Sequence, residues 1–158
     1  RYGVYDPATQ TWPVPEEPAD TQGGSLDLAV VERNDTVFAY IVFVLRYPPY
    51  YLKFCSRDPV SGTWSNVTIR EAACNGTFPS IAADSQGRLH ISFRETASGS
   101  LMYATNANDS TIWACEYVDL GTNLGQYSSI VVDEFDVPYI IYYDATADNL
   151  KYARLVGE

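Results

Sequence analysis

An internal echo constrains this chain more than any other feature. Residues 78–94, FPSIAADSQGRLHISFR, return 49 positions later as residues 127–143, YSSIVVDEFDVPYIIYY. Ser80 falls on Ser129, Ile81 on Ile130, Asp84 on Asp133, Ile91 on Ile140 and Phe93 on Tyr142. The next segment repeats too: LMYA at 101–104 against LKYA at 150–153, with LKFC at 52–55 another 49 residues earlier. Trp12, Trp64 and Trp113 form a second series at intervals of 52 and 49. Leu28-Ala29-Val30-Val31-Glu32 aligns with 80–84 at 52, which predicts a three-residue insertion between Ile41 and Leu52. A fixed period of this length means a supersecondary unit that buries its apolar face only by stacking on its neighbours.

Each unit reads as four short strands. The first is apolar throughout (Ile81-Ala82-Ala83, Ile130-Val131-Val132), as suits a strand covered on both faces. A polar turn comes next, such as Asp84-Ser85-Gln86-Gly87. The second strand is predicted over 37–44, 88–93 and 137–142, and the third ends in Phe54, Tyr103 or Tyr152. A third turn leads to the tryptophan that opens strand four, 64–69 and 113–118. Pro138 stands where a strand begins, a place that tolerates a missing N–H. No helix is predicted. Dense short strands at this period predict an all-β fold, a β-propeller-type array of about three four-stranded blades. The array spans 1–158, with a partial blade over 1–23, blades over 24–76 and 77–125, and a partial blade over 126–158.

The two partial blades complement each other. Residues 1–23 carry the end of a third strand and a fourth, whereas 126–158 carry strands one to three. Three blades fall short of the usual four to eight of a ring. The expectation is therefore strand exchange, in which the N-terminal segment of one copy completes the last blade of another. The product is a closed oligomer, most simply two chains and six blades, or an open fibre.

Composition narrows the partners. Twenty acidic residues against ten basic give a net charge of −10, which disfavours nucleic acid and anionic membranes. The longest apolar run, 37–45, is too short to span a bilayer, and no leader segment is recognisable. Four of the seven asparagines, Asn34, Asn66, Asn75 and Asn108, lie in N-x-Ser/Thr sequons, which points to a glycosylated protein that is secreted or on the extracellular surface. Three cysteines leave an odd one: Cys55 and Cys115 lie near the same end of adjacent blades and form the candidate disulfide, whereas Cys74 belongs to the opposite end.

The turn between strands three and four has a motif. Ser56-Arg57-Asp58-Pro59-Val60-Ser61-Gly62-Thr63-Trp64 resembles the Asp-box of sialidase-like propellers, a Ser-x-Asp-x-Gly-x-Thr-Trp hairpin. Residues 5–12 are a weaker copy and 108–113 a degenerate one; residues are inserted between Asp and Gly, and two copies lack the Gly. Residues 129–153 are similar to the "SIAVD…HISYYD…LKYA" repeats of secreted propeller proteins of mostly unknown function. The resemblance implies a fold, with the Asp accepting turn N–H groups and the Trp packing between blades. It does not imply a reaction. Sialidase-like catalysis needs an arginine cluster, a Tyr–Glu pair and an acid Asp, and no spacing singles out Arg46, Arg70, Arg88, Arg94, Glu95 or Tyr143 for those roles. His90, the single histidine, has Tyr139 as its repeat counterpart, an ordinary strand position. The acidic turn 133–136 suits Ca²⁺, but its counterpart at 84–87 lacks the extra acids. Neither a metal nor another cofactor is expected.

The segment Leu45-Arg46-Tyr47-Pro48-Pro49-Tyr50-Tyr51 is the candidate binding loop. Two prolines stiffen it, and its tyrosines offer flat faces for sugar rings or for another protein. In a four-stranded blade the 2–3 and 4–1 connections share one end, which brings Tyr127 toward Arg46, Tyr47, Tyr50 and Tyr51. The chain is expected to be a non-catalytic structural or adhesive module that self-associates. A lectin with a glycan ligand on this loop face is the alternative, and an Asp-box glycoside hydrolase ranks last.

Overall fold

The computed structural model describes residues 3–12, 16–17, 23–45, 48, 50–69, 75–106 and 112–156. Among these residues the elements are strands β1 (Gly23–Arg33), β2 (Thr36–Leu45), β3 (Leu52–Arg57), β4 (Trp64–Thr68), β5 (Gly76–Ala83), β6 (Leu89–Glu95), β7 (Leu101–Asn106), β8 (Trp113–Asp119), β9 (Gln126–Val132), β10 (Pro138–Asp144) and β11 (Asn149–Arg154). They form three antiparallel sheets in chain order: sheet 1 (β1-β2-β3-β4), sheet 2 (β5-β6-β7-β8) and sheet 3 (β9-β10-β11). Among the described residues there is no helix, and hence none long and apolar enough to cross a membrane.

Period-two alternation gives the middle sheet two buried faces. Ile81, Ile91, Phe93, Met102 and Ala104 pack toward sheet 1, against Tyr40, Val42, Leu52 and Phe54. Leu101 and Tyr103 pack toward sheet 3, against Ile130, Ile140 and Tyr142. Each fully buried large side chain contributes about 1.5–3 kcal/mol, so these two junctions hold the sheets together. The first strands lie side by side, β1 against β5 and β5 against β9. There Asp27 accepts hydrogen bonds from Ser80 Oγ (2.7 Å) and the Ile81 N–H (2.9 Å), and Ser80 Oγ in turn accepts from the Ile130 N–H (3.2 Å). Gly76 opens β5 because a Cβ there would overlap the Phe93 ring and the Arg94 carbonyl.

Strand register revises two expectations. Ile81, Ile91 and Ala104 lie side by side across sheet 2, and Leu28, Ile41 and Cys55 do so across sheet 1. Leu28 therefore matches Ile81 rather than Ser80. The extra length of the first unit lies chiefly in the β1–β2 hairpin, with twelve residues between Leu28 and Ile41 against nine between Ile81 and Ile91. The β2–β3 connection is only one residue longer, seven (45–51) against six (95–100). The predicted three-residue insertion there is replaced by a longer hairpin, which carries Arg33 across to the Gln86 carbonyl of sheet 2 (3.1 Å).

The expected Cys55–Cys115 bridge does not form. Cys55 is a buried thiol, and Cys115 is disulfide-bonded to a partner outside the described residues. Side-chain alternation is the reason. Phe54 faces sheet 2, edge-on to Trp113 at 5.5 Å, so its neighbour Cys55 points away from the sheet that carries Cys115.

Candidate functional site

Acidic side chains organise the turns. Asp58 Oδ1 accepts the N–H groups of Val60 (3.0 Å) and Ser61 (2.7 Å), and Asp6 Oδ1 accepts that of Ala8 (2.8 Å) in the matching N-terminal hairpin. Asp84 and Asp133 clamp the turns after β5 and β9, and Glu95 and Asp144 those after β6 and β10. Each carboxyl is held below the usual carboxylate range. At Asp58 the cause is first the Ser61 N–H; at Asp133 it is the Val137 N–H, and at Asp144 the Ala147 N–H. At Asp84 and Glu95 burial pulls upward, and hydrogen bonds, from His90 and Ser98 respectively, outweigh it. Asp6, Asp58, Asp84, Glu95, Asp133 and Asp144 thus hold the N–H groups of turns.

A buried Asp84–His90–Tyr103 array has the look of a proton relay. His90 Nε2 lies 3.2 Å from Asp84 Oδ2, and Nδ1 lies 2.6 Å from the Tyr103 hydroxyl. Burial pushes the His90 pKa down, against the pull of Asp84, and pushes that of Tyr103 up. Sheet 3 repeats the array without a histidine: the Tyr139 hydroxyl donates to Asp133 (2.8 Å), and the Tyr139 ring lies 6.2 Å from Tyr152. The same repeat column is thus built from two different chemistries. Three of the other residues weighed for sialidase-like roles have local partners. Arg88 pairs with Asp84 (2.5 Å), Glu95 holds its turn, and the Tyr143 hydroxyl donates to Asp148 (2.6 Å); Arg46 and Arg70 lie outside the described residues. Asp136, in the acidic turn, accepts from Ser85 N–H and Oγ (both 2.8 Å). Among the described residues no cluster of three metal-ligating side chains occurs.

The 2–3 and 4–1 connections do meet at one end, in a belt of backbone hydrogen bonds. Gly76 N–H donates to the Tyr50 carbonyl (3.2 Å), Thr96 N–H to Asn75 (3.1 Å), Leu124 N–H to Gly99 (2.8 Å) and Ala145 N–H to Asn123 (3.0 Å). Tyr51 bridges Asn75, so Tyr50 and Tyr51 sit in this belt. Tyr127 emerges at its next connection. Arg46 and Tyr47, the other residues of the expected groove, lie outside the described residues, as does the sequon residue Asn108. Asn34 and Asn66 are exposed and Asn75 is half-buried. Phe78 and Tyr127 occupy β-bulges with φ of 54° and 53°, a region that bulky residues rarely adopt, and their rings contact at 4.8 Å. Tyr127 projects into solvent.

At the opposite end, a cleft of about 430 Å³ opens between sheets 1 and 2. Phe38, Tyr40, Phe54 and Trp113 wall it, and Arg33 and Asp58 stand at its rim. Sequence reasoning missed it, because two sheets must meet to form it. The one signal was Phe38 and Tyr40 alternating on β2 toward the face that Phe54 occupies on β3.

No family model matches the chain, and no curated protein matches it.

Proposed function

We propose that the three sheets are blades of a β-propeller-type array, and that the chain is a non-catalytic structural or adhesive module of the extracellular space. It associates with copies of itself through incomplete outer blades, into a closed oligomer or a fibre. The observation that carries this reading is the open edge of sheet 3. Among the described residues β11 pairs with β10 alone, whereas its counterpart β7 is paired on both sides. A strand with one free edge templates another chain. Trp12, in the hairpin that matches the opening of a fourth strand, is exposed, as expected of a group awaiting that edge. Light scattering across a dilution series tests the reading: it requires multiples of the 17.6 kDa chain, and one chain mass at every concentration refutes it.

A lectin is the second reading, favoured by Tyr127. A bulky residue held at positive φ, its ring tilted against Phe78 and open to solvent, suits a platform for a sugar ring. Tyr127→Ala should then abolish binding on a glycan array and leave the melting temperature in place. An unbound array for the parent protein ends this reading.

A further inference from the structure

A cleft stands at the same place in both junctions between sheets. Register matches Phe54, Val67, Leu89 and Asn106 of the first with Tyr103, Glu116, Pro138 and Leu155 of the second. The second cleft is about 240 Å³ and the first about 430 Å³, so the first alone reaches the roughly 300–1,000 Å³ of small-molecule sites. Two features set it apart. Tyr40 and Phe54 stack at 5.8 Å, and Phe54 meets Trp113 edge-on at 5.5 Å, so one flank is continuous aromatic surface. The cleft is also lined by a buried amide, since Asn106 is 4% exposed. Its Oδ1 accepts the Leu89 N–H (2.7 Å), which leaves the N–H₂ half to the cleft; among the described residues those donors meet no acceptor. In sheet 3, Pro138 has no N–H to offer and Leu155 replaces the asparagine. The accepting half of Asn106 is thus structural, whereas the donating half has no task within the described fold.

We infer that the cleft between sheets 1 and 2 binds a neutral sugar, a mono- or disaccharide, whose ring packs on the Phe54–Tyr40 wall and one of whose hydroxyls accepts from the Asn106 amide. This rests on the sugar-binding reading above but sets the site at the other end of the sheets from Tyr127; the two placements predict opposite results for Tyr127→Ala. An apolar ligand fits poorly, because it would leave the Asn106 donors buried without an acceptor. An anion fits poorly too. Asp58 uses Oδ1 for its own turn and keeps Oδ2 at the rim, in a carboxyl that the Ser61 N–H first of all holds below the usual range. The neighbouring cations are engaged. Arg33 lies over the Phe38 ring and donates to the Gln86 carbonyl (3.1 Å) and the Tyr40 hydroxyl (3.3 Å), and Arg57 pairs with Glu16 (2.9 Å). A polyhydroxylated neutral ligand meets each group. Its hydroxyls accept from Asn106, donate to Asp58 and exchange bonds with the Ser56–Ser65 hydroxyl pair (2.7 Å apart), while the C–H face of a pyranose lies on the aromatic wall.

Ser65 is exposed on β4 and lines the cleft, so Ser65→Phe fills the cleft while the chain still folds. Asn106→Asp keeps an acceptor for the Leu89 N–H and removes the donors. Saturation-transfer NMR and calorimetric titration take the methyl glycosides of glucose, galactose, mannose, fucose and N-acetylglucosamine as probes, with glucuronic acid as the charged control. At least one neutral glycoside should bind the parent, one molecule per chain. Ser65→Phe and Asn106→Asp should each weaken that binding at least about tenfold, Ser65→Phe with an unchanged melting temperature. Tyr127→Ala should leave it in place. Undiminished binding by Ser65→Phe overturns the inference; if Tyr127→Ala then abolishes binding, the sugar reading survives on the loop platform. Full-strength binding by Asn106→Asp overturns the role given to its amide. A preference for glucuronic acid overturns the neutral class. A parent that binds no probe overturns the cleft site and the sugar reading together, and leaves self-association to its own test.

Discussion

Trp113 and Trp12 hold the same place in the repeat, and alanine at each position separates what the repeat encodes from what stacking supplies. Trp113 is 3% exposed and Trp12 is 68%. Removing the Trp113 indole takes away roughly 200 Å² of buried surface, about 5 kcal/mol at about 25 cal/mol per Å², which a compact unfolded chain reduces by up to about 40%. Loss of the edge-on contact with Phe54 adds about 1 kcal/mol. Trp113→Ala should therefore cost about 4 kcal/mol, in line with large-to-small substitutions in other cores. Trp12→Ala should cost less than about 0.5 kcal/mol within one chain, as exposed positions do. With an m-value of about 2 kcal/mol/M, the urea midpoint falls by roughly 2 M for Trp113→Ala and by no more than roughly 0.3 M for Trp12→Ala. Far-UV circular dichroism reads both without relying on the tryptophans removed. The proposed strand exchange adds a second readout, since under it Trp12→Ala should weaken self-association while sparing stability. A loss below about 1 kcal/mol for Trp113→Ala, or equal losses at the two sites, refutes the reasoning.

Stability should fall on acidification. His90 is kept neutral by burial, so below about pH 6.5 the unfolded chain takes up its proton first and stability declines. The depressed carboxyls of Asp84 and Glu95 contribute stability above about pH 4 that is lost as pH drops through their folded values. The melting temperature should be flat from about pH 7 to 8, decline below about 6.5 and drop more steeply below about 4; a rise between about 6.5 and 4 contradicts the assignment of His90. Glu95→Ala unclamps the Ala97 and Ser98 N–H groups and should cost about 3 kcal/mol, with Glu95→Gln losing markedly less, in chemical denaturation. Burial raises the Cys55 pKa, so iodoacetamide should leave Cys55 unlabelled in the native protein and label it on unfolding, as peptide mass spectrometry would record.

Much of the architecture was legible because short strand-like segments bounded by polar turns recur at a fixed period. Turn signals delimited strands around Ile91 and Ile140, and the 49-residue echo placed equivalent strands in successive sheets. The turn acids were visible as residues, but their work was not: net charge reads as surface polarity until Asp58, Asp84 and Glu95 are seen holding backbone N–H groups. Register in the first unit slipped by one, because a hairpin longer by three residues and a loop longer by one add to four, whereas the alignment of 28–32 on 80–84 allowed for three. In a strand, a slip of one exchanges faces. Leu28, aligned with polar Ser80, thus concealed an apolar outer face. Cys55 failed for a related reason. Closeness along the sheet stack placed it beside Cys115, but side-chain direction, set by Phe54, sends it the other way. Trp12, Trp64 and Trp113 are alike in sequence and differ in burial because the neighbouring structure, not the residue, determines who is covered.

Electron micrographs of the purified protein test the central claim most directly. Unfinished outer sheets that complete one another between copies predict rings of six sheets, or filaments with a three-sheet repeat. Fields of separate particles no larger than one 17.6 kDa chain, at concentrations where light scattering also reads a single chain, would contradict it.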